Sequence, residues 1–307
     1  MLTDYERFLL NTYLSNTAAA VSHRDPVARG LVEWVSDRDN RIAFPVRKRL
    51  GSWYSDRART KVSRKKFRKL RGILQEECSE EPPKPDRTAQ RLHRLEQVIG
   101  LSRTDNDILE LLLRCTTHSV FESVIDELFV GPDRMSHPLN VRGRALALAL
   151  GLSANKVQLR LTANSPLVHS GLVKVKGDGD LSLLMRLCRL ISEPGDGKVD
   201  PIRLLLDVAS STDLAWQDFD HVARDRDHAE TLVKGALAEG ATVVNILLYG
   251  PPGTGKTEFS KVLARQLGVT LYTVGEADED GDEPKRGERL QELRLAQRLL
   301  SKIPLSH

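Results

Sequence analysis

The stretch Val243-Val-Asn-Ile-Leu-Leu-Tyr-Gly-Pro-Pro-Gly-Thr-Gly-Lys-Thr257 decides how the C-terminal third of the chain is read. Val243 to Tyr249 is an apolar run of the length and composition of a buried strand, and Glu258 to Leu267 continues with helical spacing. Between them Gly250-x-x-x-x-Gly255-Lys256-Thr257 has the spacing of a phosphate-binding loop in its required strand, loop, helix context. Glycines let the backbone turn so that successive N–H groups face one anion, and the following helix adds its positive N-terminal end. Lys256 is expected to bridge the β- and γ-phosphates as a point charge, and the Thr257 hydroxyl to be an oxygen ligand of Mg²⁺. A plain glycine-rich connection would not require Lys-Thr at these two positions. The expected ligands are therefore ATP and Mg²⁺, with Gly250, Pro251, Pro252, Gly253, Thr254, Gly255, Lys256 and Thr257 around the phosphates.

The filling of this loop, GPPGTGKT, resembles the Walker A motif of AAA+ ATPases. The resemblance implies a P-loop domain built on a parallel sheet, a homo-oligomeric ring for a full-length form, and ATP hydrolysis coupled to remodelling of a protein client. Upstream, Trp216-Gln-Asp-Phe-Asp-His221 resembles the linker that precedes the first strand of that family, which implies that Asp220, His221 and Val222 lie beside the adenine. In the family the next strand bears the Walker B acids, followed by sensor residues, an arginine finger and a helical lid. No apolar strand ending in Asp-Glu follows Thr257, so no catalytic residue is assigned. Residues 200–307 are accordingly read as an incomplete AAA+ domain, and this chain alone is expected to bind ATP·Mg²⁺ weakly or not at all and not to turn it over. Within it, Val269 to Val274 reads as a second strand, 276–283 as a loop holding six acids, and Arg286 to Leu300 as an amphipathic helix.

Upstream the pattern is mainly helical, giving a chain that is mainly α with an α/β C-terminal part. Residues 4–36 show two amphipathic helices broken at Asp25-Pro26, and 87–128 show further helices separated by Gly100 and the cap candidates Ser102 and Thr104. Ser79-Glu-Glu-Pro-Pro-Lys-Pro-Asp86 cannot continue a helix and reads as a linker. Over 143–185 a helix ending at Gly151-Leu-Ser153, a second helix from Ala154 to Leu161 and two short strands at 171–183 follow the order of a winged-helix domain, which the LGLS turn and SPLVHSGLV also resemble. Such folds bind DNA or proteins; the second helix offers only Asn155, Lys156, Gln158 and Arg160 to a groove, which leans towards protein docking. Glu193 to Lys198 reads as a second linker. The expected domains are thus 1–85, a basic helical region with its linker; 86–192, helical with a winged-helix-like module; and 200–307.

Charge is unevenly distributed. Residues 41–71 hold thirteen Lys or Arg against Asp56 alone, a local charge of +12 in a chain of net charge +4. Phe44, Trp53, Tyr54 and Phe67 interleave with these bases, so nucleic acid held by phosphate contacts and stacking is one reading. The other is a solvated helical face with buried aromatics. A nucleotide-switched, nucleic-acid-binding maintenance or regulatory factor is therefore the alternative to a remodelling ATPase, and a non-catalytic nucleotide-binding protein a third. At 307 residues with 40% hydrophobic and 29% charged residues, global disorder and fibrous folds are excluded. No run approaches the roughly 18 apolar residues of a membrane span, and no signal-peptide pattern opens the chain, so the cytoplasm is the expected location. Cys78, Cys115 and Cys188 lack disulfide or metal spacing and are read as thiols.

Overall fold

In the computed structural model, residues 2–37, 44–51, 62–78, 81–129, 138–175, 181–195, 201–241, 244–274 and 286–301 are described. The chain is mostly helical and divides into two units, Met1–Leu204 and Leu205–His307.

The first unit begins with α1 (Asp4–Ala20) and α2 (Pro26–Ser36). Their break lies where the sequence places it: Asp25 accepts from Val27 N–H as the cap of α2, and Pro26 takes the first helical position, where no N–H is needed. α3 (Phe44–Leu50) and α4 (Arg64–Glu77) occupy the basic segment. α5 (Arg87–Ile99) ends at Gly100, which is left-handed at φ 76°. Ser102 and Asp105 then form a capping box that opens α6 (Arg103–Thr117). α7 (Ser119–Phe129), α8 (Pro138–Leu150), α9 (Ala154–Arg160) and α10 (Pro166–His169) follow. β1 (Val173–Val175) pairs antiparallel with β2 (Leu181–Leu183), Val173 opposite Leu183, at the position of the expected hairpin. The hairpin's turn lies outside the described residues. A 3₁₀ turn, Met185–Cys188, leads into α11 (Arg189–Ser192), and α12 (Pro201–Leu205) reaches the junction with the second unit.

Packing in this unit is carried by leucines and valines at helical spacing and by arginines on helix ends. α1 packs on α4 and α8, α2 on α7, and α5 on α6. Asn16 Nδ2 donates to Ala149 O at 2.9 Å, tying α1 to the end of α8. Arg71 donates to Ala18 O at 2.9 Å and Val21 O at 3.0 Å, where α1 runs out of amide partners. The fully buried Arg91 closes α11 in the same manner, reaching Leu190 O and Glu193 O, each at 3.0 Å.

The division expected near residue 85 falls inside this unit. Asp86 caps α5 through Ala89 N–H and also takes two bonds from Arg114 of α6, both at 2.8 Å. The same guanidinium donates to Glu6 of α1 at 2.7 Å and Glu110 at 3.0 Å. Its side chain is 1% exposed. Burial opposes the charge, but bonding to Asp86 and Glu110 outweighs it and raises the pKa of Arg114, while burial raises that of Glu110. One arginine thus joins the N-terminal helix, the segment after the prolines and α6.

The basic segment divides into bases used within the unit and bases facing solvent. Arg49 pairs with Glu76 and Glu77, Lys69 donates to Leu50 O at 3.2 Å, and Arg71 closes α1. Of the four interleaved aromatics, Phe67 is buried at 3% exposure beside Leu70, Ile73 and Leu74, and is no stacking platform. Trp53 and Tyr54 lie outside the described residues, as does the side chain of Phe44.

In the second unit β3 (Asp207–Val208) is followed by a 3₁₀ segment, Trp216–Val222, and by α13 (Ala223–Glu239), which Gly240 ends in a left-handed conformation. α14 (Lys256–Leu267), β4 (Tyr272–Thr273) and α15 (Arg286–Leu300) complete it. Two expectations are corrected here. Val244–Tyr249 forms no strand ladder, and Leu247 and Tyr249 are 84% and 89% exposed, because no strand hydrogen-bonds to this run among the described residues. The second expected strand, Val269 to Val274, shortens to β4, and its partner is the upstream β3 in an antiparallel pair: Val208 stands opposite Tyr272, and Ala209 N–H donates to Leu271 O at 2.9 Å. The described strands of this unit are therefore antiparallel where a parallel sheet was expected. The acidic loop 276–283 lies outside the described residues. No helix among the described residues is long and apolar enough to cross a membrane.

Candidate nucleotide site

The loop 250–255 turns as its glycines allow. Gly253 and Gly255 both have φ 79°, a region in which a side chain costs on the order of 1 kcal/mol or more. Gly255 is also the N-cap of α14, so the loop delivers the chain directly into the helix. Among the described residues, the N–H groups of Gly253, Thr254, Gly255, Lys256 and Thr257 donate to no backbone carbonyl, the condition an anion-binding cradle requires. The first backbone bond of the helix is Phe259 N–H to Gly255 O, at 2.7 Å.

Lys256 folds back over the loop. Its ammonium donates to Pro251 O at 2.7 Å, Gly250 O at 3.0 Å and Thr254 Oγ1 at 3.3 Å, while Thr254 Oγ1 donates to Pro251 O at 2.9 Å. Phosphate would exchange these neutral carbonyl partners for charged oxygens, which bind an ammonium more strongly. Thr257 is exposed on the first turn of α14. Free amides, one ammonium and one hydroxyl oxygen form a donor set that fits a polyphosphate with a hard divalent cation.

The helix is held by residues upstream of the loop. Phe219, 6% exposed, meets Phe259 edge-on with ring centroids 5.3 Å apart, and both join Val262, Leu263 and Ala229 in one apolar cluster. A Cβ on Gly255 would stand 3.6 Å from Phe219 Cε1, so the phenyl ring lies directly beneath the loop. Arg226 of α13 lies 4.9 Å from the Trp216 ring centroid, donates to Trp216 O at 3.0 Å, and pairs with Asp220 and Asp227. On the far side of α14, Arg265 donates to Thr212 O at 2.9 Å and to Leu214 O, and Lys261 to Ser210 Oγ at 3.0 Å. Lys261 also pairs with Glu258 at 2.8 Å, and its hydrogen bond, then that of Thr212, lowers the pKa of Glu258. The segment 210–222 is therefore strapped along α14.

Between that strap and the loop lies a cavity of about 670 Å³. His221 and Val222 line it on one side, Leu248, Gly250, Thr254 and Lys256 on the other. Of the three residues expected beside the adenine, His221 and Val222 reach this space; Asp220 does not line it and instead holds Arg226. His221 Nδ1 is 3.2 Å from Asp218 O, so in the neutral ring that nitrogen donates and Nε2 is left as an acceptor.

Residues 246–297 match the family model of the ATPase family associated with various cellular activities (AAA). Over this segment the chain is similar to that family. No solved structure matches the chain. The AAA region takes in the loop, α14, β4 and most of α15, whereas Phe219, His221 and Arg226 lie upstream of the match. Sequence reasoning reached the loop residues through their spacing but missed Phe219 and Arg226 as its supports. The available signal was Trp216 and Phe219 three residues apart before a helix that carries an arginine at its fourth position.

Proposed function

We propose that the chain is an AAA+-type ATPase protein that binds ATP·Mg²⁺ in the cavity between the 210–222 strap and the P-loop, and that nucleotide binding serves the remodelling of a protein client. The observation that carries this reading is the glycine loop, with its amides unpaired among the described residues, opening into a cavity wide enough for a nucleotide and lying within the AAA region. The amides of 253–257 and the Lys256 ammonium would hold the phosphates, and the Thr257 hydroxyl would be the metal's protein ligand. Mg²⁺ supplies charge neutralisation of the phosphates. His221 and Val222 would face the base, the free Nε2 acceptor suiting an exocyclic amine.

The client is assigned to the first unit. Its helix, turn, helix and hairpin over 138–183 are taken as a winged-helix-like module, and α9 presents Leu159, 61% exposed, among Asn155, Lys156 and Gln158. An apolar centre with a polar rim suits a protein surface.

Titration calorimetry of the full chain with Mg²⁺ tests the nucleotide reading. ATP is expected to bind and AMP to bind at least tenfold more weakly, because the free amides and Lys256 address the β- and γ-phosphates. Equal affinity for the two nucleotides would place recognition on the base alone and contradict the assignment.

A further inference from the structure

Four exposed bases of the α3–α4 pair have no hydrogen-bond or ion-pair partner among the described residues: Lys48, Arg64, Lys65 and Arg68. Arg64, Lys65 and Arg68 share one side of α4, while Phe67, Leu70, Ile73 and Leu74 turn inward. Their placement is unfavourable for the helix itself. Arg64, Lys65 and Lys66 fill the first turn of α4, which contains no acid, so three cations meet the positive end of the helix dipole behind the Ser63 cap. Burial first, and then repulsion from the neighbouring Lys69, lowers the pKa of Lys66. A polyanion laid over this turn would relieve both conflicts.

The chemistry of that polyanion follows from what the face lacks. Between residues 44 and 78 no large apolar side chain is exposed among the described residues, so the described part of this face lacks the apolar centre of a protein-docking surface. Phe67 is buried, so no base can stack on it. What remains is Arg64 and Arg68 one helical turn apart on α4, with Lys65 beside them and Lys48 on the neighbouring α3, a set of cations suited to phosphates read without regard to sequence.

We propose that Lys48, Arg64, Lys65 and Arg68 form a binding face for the phosphate backbone of a nucleic acid duplex. The face lies wholly in the first unit and does not depend on the nucleotide reading above.

The test is fluorescence anisotropy of a labelled, mixed-sequence DNA duplex titrated with the full chain at several salt concentrations. Four phosphate contacts predict a log–log slope of about −3 to −4, hence a loss of roughly hundredfold in affinity between about 50 and 200 mM salt. The variant K48Q/R64Q/K65Q/R68Q is expected to bind at least tenfold more weakly at the lower salt, with a shallower slope and an unchanged or raised melting temperature, since glutamine keeps helix propensity and removes the clash with the dipole. The proposal is overturned if the wild-type chain does not bind the duplex, or if the quadruple variant binds it equally well. It is also overturned if Lys156→Gln on α9 abolishes binding that the quadruple variant retains. Partition onto phosphatidylcholine–phosphatidylserine vesicles without duplex binding would make an anionic lipid surface the partner and would likewise overturn it.

Discussion

Lys256→Ala is expected to weaken ATP·Mg²⁺ binding by about 2–4 kcal/mol, roughly 30- to 700-fold, while leaving the fold intact. Among the described residues the ammonium bonds to Gly250 O, Pro251 O and Thr254 Oγ1, three neutral acceptors near the surface. Water replaces those bonds readily once the side chain is gone, and the apolar cluster of Phe219, Phe259 and Val262 that seats the helix is untouched. The liganded state is different. In the proposed complex the lysine would be the side-chain cation among the loop's amide donors, and Arg226, the other cation lining the cavity, is already paired with Asp220 and Asp227, so removing Lys256 would leave phosphate charge poorly compensated. Calorimetry of wild type and variant reads the difference, and circular dichroism checks the fold. An affinity changed less than threefold would place the phosphates elsewhere.

Arg114→Ala is expected to destabilise the first unit by about 3–5 kcal/mol, because it leaves three carboxylates buried around a missing cation. Glu6, Asp86 and Glu110 have side chains 5%, 15% and 8% exposed, and each bonds to this guanidinium. His118, 2.9 Å from Glu6, is partly exposed and cannot replace a bidentate partner of Asp86. For a unit of this size the loss corresponds to a fall in melting temperature of roughly 6–20 °C. Arg114→Lys should retain part of the stability, since the charge remains but the two-pronged contact with Asp86 is lost. A fall under about 1 kcal/mol in Arg114→Ala would mean that the three acids are hydrated in the folded chain.

These two sites differ in how far they were legible in the sequence. The P-loop reading rests on neighbours within eight residues, and the turn, the positive φ of its glycines and the helix after Gly255 all follow from local chemistry. The break at Asp25-Pro26, the Gly100 stop and the Ser102 cap are local in the same sense. Arg114 is different: its partners lie 28 and 108 residues away as well as four, and nothing in its own helix marks it for burial. The strands fail for a related reason. An apolar run such as Val244–Tyr249 states a preference for the sheet but not which chain will pair with it, and among the described residues none does. β4 meanwhile takes Asp207–Val208, a segment that carries no strand pattern of its own. The aromatics of the basic segment were ambiguous between stacking and core; α4 resolves Phe67 as core because it falls on the same side as Leu70 and Leu74.

The most direct test of the central claim is amide hydrogen exchange of the full chain with and without ATP·Mg²⁺. The account predicts that protection rises at 253–258, where amides without backbone partners become donors to phosphate, with a smaller rise across 219–222 where His221 and Val222 face the cavity. Nucleotide binding that leaves 253–258 exchanging as fast as in the free chain would contradict it.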